Sequence, residues 1–239
     1  MAQAEMAKED QAERKVLIGT AGLTLLGILL MLIAISADYW YLLHIPGGQY
    51  RNSTKSYVTN HHSGLWRICR NELDNRTYPS IRREYCTMIK LFPNSKMIDK
   101  DPEIDSVIVN YSRAETAFAV IAFLLMMLGL VFTFYAIKEP RYMFKRLAAA
   151  IHIITAMCIL VCAQVLSQSL EYEESNLPAR HPEGAYLKYG FCFYLAWITF
   201  AIFVFAGLVF LWYGRKRKGH RAYSEQEAQE NEPVHLGRI

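Results

Sequence analysis

His62-Ser63-Gly64-Leu65-Trp66-Arg67-Ile68-Cys69, answered further along by Cys86, is the stretch on which the reading of this chain turns. It lies in a polar segment between two long apolar runs, which places an aromatic anchor and a pair of cysteines in one loop outside a membrane. Loop cysteines facing an oxidising compartment tend to pair, so a Cys69–Cys86 disulfide is expected; two free thiols, or thiols paired between molecules, are the other readings. Cys158, Cys162 and Cys192 fall within apolar runs and read as small apolar fillers.

Working outward, apolar residues make up 53% of the 239 and gather into four blocks, as in a bilayer-spanning protein. The net charge of +4 says little, because a membrane divides it between two compartments. The first block, 16–37, has the length of about 20 residues that a span needs, too long for a signal-peptide core. Its Gly19, Ala21, Gly22, Thr24 and Gly27 would let helices approach closely. Asp38-Tyr39-Trp40-Tyr41 ends it with a charge and interfacial rings.

The polar segment 38–113 is long enough for a small folded unit. Strand-like composition at 57–58, 65–68 and 85–89, broken by Pro46-Gly47-Gly48, Asn75 and Pro79, predicts a small antiparallel sheet. Asn-x-Ser/Thr sequons occur here at Asn52, Asn75 and Asn110 and nowhere else, consistent with an outside location.

Further spans are expected at 114–137, 147–170 and 189–213, joined by a basic turn at 138–146 and a short acidic loop at 171–188. Glu115 reads as a solvated charge beside Arg113, or as the mark of an ion path. His152, Gln164 and Gln168 are expected to face other helices and hydrogen-bond there. The basic turn and Arg215-Lys216-Arg217-Lys218 put both termini, 1–15 and 214–239, in the cytosol of a plasma-membrane protein and offer contacts to anionic lipids. The last twenty or so residues read as disordered.

Motifs for hydrolysis, phosphate binding or zinc-dependent chemistry are missing from the sequence. His61 and His62 adjoin on an extended segment and point to opposite faces, so with His44 they are not expected to share a metal ion. Neither an enzyme nor a cofactor is expected, and neither nucleic acid nor a small-molecule substrate. A shaped outer sheet on a helical stalk suits binding a partner.

Asp38-Tyr39-Trp40, then Gly64-Leu65-Trp66 with Cys69 and Cys86, on four spans with a large first loop, resemble the claudin superfamily. Within it, 62–67 with Cys69, and Cys86-Thr87-Met88-Ile89-Lys90-Leu91-Phe92-Pro93, are similar to the calcium-channel gamma subunits and the stargazin-type auxiliary proteins of AMPA glutamate receptors. Lys188-Tyr189-Gly190-Phe191 with Phe193 is similar to their entry into the fourth span.

The resemblance implies a four-helix membrane bundle carrying a small antiparallel sheet, clamped by Cys69–Cys86, with Trp66 buried where sheet meets bundle. It implies a non-pore-forming auxiliary subunit whose partner is the pore-forming subunit of a calcium channel or ionotropic glutamate receptor. Acidic residues Asp99, Asp101, Glu103 and Asp105 correspond to a family stretch that faces the receptor; a solvated loop is the other reading. A claudin-like or PMP22-like adhesion role is the alternative function. The chain departs from the stargazin pattern in having one cysteine after Gly-Leu-Trp, and its end, Leu236-Gly237-Arg238-Ile239, does not suit a PDZ groove.

Overall fold

The computed structural model describes residues 2–51, 56–74, 82–94, 105–139, 141–178 and 180–215. Among these residues four helices, α1 (Ala2–Ser36), α2 (Ser106–Lys138), α3 (Tyr142–Asn176) and α4 (Phe191–Tyr213), pack in a ring in that order, α4 closing on α1. Each is long and apolar enough to cross a membrane. Their outward faces carry Leu29, Leu124, Phe134, Phe205, Leu208 and Trp212, all more than half exposed. Apolar surface on every side of a bundle belongs in lipid, and the chain is a multi-pass membrane protein.

Three helices overrun the expected spans, because hydropathy measures transfer into lipid and not backbone conformation. α1 starts at Ala2 instead of 16, through a segment of Ala, Gln, Glu and Lys that are good helix formers. α2 starts at Ser106 instead of 114: Asp105 is its N-cap, its carboxylate accepting from Val107 N at 2.6 Å. α3 covers Tyr142–Asn176 instead of 147–170 and stops two residues before Pro178. α4 starts at Phe191, since Tyr189 belongs to a strand and Gly190 turns the chain.

That strand completes a five-stranded antiparallel sheet. In chain order its members are β1 (Tyr41–Arg51), β2 (Ser56–Ser63), β3 (Arg67–Asp74), β4 (Arg82–Met88) and β5 (Tyr186–Tyr189), lying side by side as β4-β3-β2-β1-β5. The expected sheet is present, with corrections. Pro46-Gly47-Gly48 does not break a strand but sits in a bulge of β1, where the register shifts between His44 and Gln49 and both glycines adopt positive φ. Leu65 and Trp66 form the turn between β2 and β3 rather than a strand. The second polar loop, expected as a connector, supplies β5 against the first half of β1, from Tyr41↔Tyr189 to His44↔Tyr186.

The bundle core is built from Met31, Ala34, Ala119, Ala122, Met126 and Phe203, each fully buried. Threonines 24, 133, 155 and 199 are buried among them, and three direct their hydroxyls to a carbonyl one turn back in their own helix. His152 is fully buried and hydrogen-bonded through Nε2 to Thr133 Oγ1 at 2.9 Å, as expected of a polar group between helices.

Gln164 and Gln168, expected to face other helices, are exposed on the outward face of α3, Gln168 bonding to Glu171 beside it. Cys162 and Ala163 carry the inward stripe at that level, and Gln164 falls off it. Of the small residues in α1, Gly27 lies close against Phe203 and Ile202, whereas a Cβ added at Gly19 or Gly22 would meet no other part of the described residues within 4 Å.

Candidate functional site

Where sheet joins bundle, the end of α1 poses a problem of chemistry: the last four carbonyls of a helix have no partner within it. Two tryptophans solve it. Trp40 donates its indole N–H to Ala34 O at 2.7 Å, and Trp66 donates to Ile35 O at 2.9 Å. Trp40 is wholly buried and Trp66 half-buried, so the deeper anchor is Trp40, although the resemblance assigned the buried ring to Trp66.

Backbone contacts hold both rings in place. Trp40 N donates to Ser63 O at 2.8 Å, Gly190 N to Trp40 O at 2.8 Å, and Cys192 N to Tyr39 O at 3.2 Å. The first run, the β2–β3 turn and the start of α4 therefore cross within hydrogen-bonding distance. Glycine is needed at two of the crossings: a Cβ on Gly64 would lie 2.7 Å from Ala37 O, and one on Gly190 would lie 2.0 Å from Tyr39 O. Leu65 is buried beneath the turn, and Arg67 holds Asp38 at 2.6 Å.

Cys69 and Cys86 are directly opposed in the β3–β4 register and joined as a disulfide, 17 residues apart. The bond ties the edge strand β4 to the sheet. His62 and Glu84 lie close enough to Cys69 to suggest three metal ligands within 4.8 Å. The sulfur is already bonded to Cys86 and is no thiolate, so this group does not make a metal site. His62 stacks on Tyr39 at 4.3 Å, while His61 meets Tyr41 edge-on. Burial, with Arg70 and Arg180 nearby, pushes His61 down to about 3 and keeps it neutral. Burial and Glu173 raise the Tyr41 hydroxyl above its ordinary range.

The expected loop residues divide. Asn52, Asn75, Asp99, Asp101 and Glu103 lie outside the described residues. Asn110 is exposed on the first turns of α2, its Oδ1 accepting from Arg113 at 3.2 Å. Asp105, expected in a partner-facing acidic stretch, is occupied in capping α2.

Glu115 departs from expectation. Successive helical residues turn by about 100°, so residues two apart point nearly opposite ways. Arg113 reaches out to Leu91 O at 2.6 Å and lies over the Phe92 ring, whereas Glu115 points inward and is 8% exposed. The charge of Glu173 on α3 acts on it, and Glu173 is paired with Arg180 at 2.6 Å. Glu173 and Arg180 went unnoticed in the sequence. The inward spacing Leu166, Ser169, Leu170, Glu173 continues the helical stripe past residue 170 and would have placed the carboxylate inside.

These features make a sheet platform, cross-linked and with aromatic capping at its base, on a lipid-facing bundle. Similarity to known proteins agrees with it. The chain is 26% identical over 197 residues to the voltage-dependent calcium channel gamma-1 subunit of Bos taurus, covering 78% of this chain and 83% of that one. It is 24% identical over 215 residues to the human gamma-7 subunit, covering 87% and 71%, and 24% identical over 221 residues to the gamma-1 subunit of Sus scrofa, covering 88% and 93%. The profile of the family described as PMP-22/EMP/MP20/Claudin tight junction matches residues 25–212, and with four membrane-length helices under a sheet pinned by Trp40, Gly64-Leu65-Trp66 and Cys69–Cys86, the chain belongs to that family.

Proposed function

We propose that the chain is a non-enzymatic auxiliary subunit that binds the pore-forming subunit of a voltage-gated calcium channel from the side and alters its delivery to the surface and its gating. The observation that carries this is the similarity to subunits named for calcium channels, which extends over 71–93% of their length in the three relatives compared. The outward Gln164 supports it: an amide in the apolar part of α3 gains from a hydrogen-bonding partner that lipid does not supply. Packing of α3 against a channel helix would supply it. A differential contact worth about 1–3 kcal/mol between two channel states is enough to shift gating visibly.

In this reading the protein sits in the plasma membrane with both termini in the cytosol, the sheet outside, and glycans on Asn52, Asn75 or Asn110. The basic runs at 138–146 and 215–218 and the confinement of sequons to one loop support that orientation. Glycosidase digestion should shift the mobility of the protein from intact cells, and protease added outside should spare the tail.

Co-expression tests the function. Calcium currents through a candidate pore-forming subunit should change in size or voltage dependence, and the two should co-purify, with Gln164→Leu weakening both. Co-purification with an AMPA-type receptor instead would favour the stargazin-type reading, in which 99–105 faces the receptor. A second function is favoured by the family description, which names tight junction proteins. Unchanged currents, no co-purification with either channel, and accumulation at cell contacts would establish that adhesion role.

A further inference from the structure

Between the inner face of the sheet and the sheet end of the bundle lies a cavity of about 370 Å³, within the range of small-ligand sites. Ile68, Ile108, Val109, Leu166 and Leu170 give it apolar walls, and Tyr41, Ser63 and Ser169 add hydroxyls. Two carboxylates, Glu115 and Glu173, face it, together with the guanidiniums of Arg70 and Arg180.

The two carboxylates are not equivalent. Glu173 is held by Arg180 at 2.6 Å, and Arg70 acts on it as well. Glu115 is more than nine-tenths buried, and the charge that acts on it is that of Glu173. No hydrogen bond or ion pair to its carboxylate is found among the described residues. Asp105, at the rim, is committed to capping α2, and Lys90 stands exposed at the mouth. A buried carboxylate without a partner is expensive, and the cost is met either by taking up a proton or by pairing with a cation; the open space beside Glu115 gives room for the second.

The geometry points to a binding site for a small amphiphilic organic amine, whose ammonium group pairs with Glu115 while its apolar body lies along Ile108, Val109, Leu166 and Leu170. A divalent metal fits less well. A hard cation asks for six or more oxygen ligands, and one of the two carboxylates is already neutralised by arginine. A neutral lipid or a fatty acid has no cationic group with which to pair Glu115. The amine is a ligand and undergoes no reaction there, and its binding does not depend on which channel, if any, the protein accompanies.

The full-length chain in phosphatidylcholine nanodiscs, titrated calorimetrically with 4-phenylbutylamine and, in parallel, with its neutral counterpart 4-phenylbutanol, tests this. Empty nanodiscs correct for partition into lipid. The amine should bind saturably and the alcohol should not. Glu115→Gln, which keeps the side-chain shape, should weaken amine binding by at least about tenfold, while Glu174→Gln on the exposed side of α3 should leave it unchanged. Thermal unfolding without ligand reports whether the Glu115 variant is folded; if it is not, the comparison of amine with alcohol on the unaltered chain still decides. Equal binding of amine and alcohol, no amine binding beyond that of empty nanodiscs, or undiminished binding by folded Glu115→Gln would overturn the site.

Discussion

The two ends of the helical bundle are held by different means. At the sheet end, backbone crosses backbone: Gly64 and Gly190 admit the approach, two indoles cap α1, and a disulfide ties the edge strand. At the far end side chains carry the contacts, with Lys145 paired to Glu13 and Arg146 donating to Gly214 O at 3.0 Å. Main-chain crossings tolerate no added atom, whereas long charged side chains can swing aside. The sheet end should therefore be the less tolerant of change, and the far end the more adaptable.

The largest effect is expected at Trp40. Replacing this fully buried ring in Trp40→Ala empties the junction and strips Ala34 O of its donor, at about 3–5 kcal/mol. The half-buried Trp66 should lose less in Trp66→Ala, because solvent can reach part of its site. Thermal unfolding of the detergent-extracted variants ranks the two, and a Trp66 loss equal to or larger than that of Trp40 would reverse the order of the anchors.

Cys86→Ser comes next. A loop of 17 residues closed by a disulfide is worth about 3 kcal/mol in the chain-entropy account. Peptide mapping without reductant should find Cys69 joined to Cys86, and the Cys86→Ser protein should unfold at lower temperature. Recovery of both cysteines as free thiols in the unaltered chain would remove the clamp from the comparison altogether.

A third test uses pH. His61 has a folded pKa pushed down to about 3 against an ordinary 6.5, so between those values the unfolded chain binds the proton and the folded chain does not. Its neutral burial therefore contributes no penalty above about pH 6.5, and stability falls as pH is lowered from there towards 3. At pH 5 the loss is about 2 kcal/mol. His61→Gln should flatten that part of the stability profile, and an unchanged slope would show that the imidazole is not sealed beneath the sheet.

Much of this architecture could be read from residue patterns. Runs of lipid-compatible residues gave the four helices, and Gly64-Leu65-Trp66 with the two cysteines gave the clamped sheet. Other features depend on distance in space, where local patterns are silent. Pairing of β5 with β1 brings together residues 41–44 and 186–189, and nothing about Tyr186–Tyr189 by itself marks a strand partner so remote. The role of Trp40 was hidden in the same way, because its acceptor is an orphan carbonyl that becomes visible only once the end of α1 is known. Glu115 is hidden for a simpler reason: hydropathy starts the helix at 114 and so puts this charge at a helix end, where it is easily solvated, whereas the start at Ser106 puts it more than two turns inside.

The far end gives the smallest expected effect and the finest test of the contrast. Lys145 and Glu13 are largely shielded from water, with side-chain exposures of 7% and 17%. Removing one partner in Lys145→Met leaves a carboxylate that can still turn partly towards solvent. Its cost should fall between that of exposed and fully buried pairs, about 1–2 kcal/mol. Replacing both, Lys145→Met with Glu13→Met, removes the need for desolvated charge and should return stability to within about 1 kcal/mol of the original. A double-mutant cycle on unfolding temperature measures the coupling directly. Recovery in the double variant would mark this end as held by exchangeable side chains. A double variant as unstable as one missing Trp40 would mean that the pair positions the backbone of α1 against α3, and the distinction between the two ends would fail.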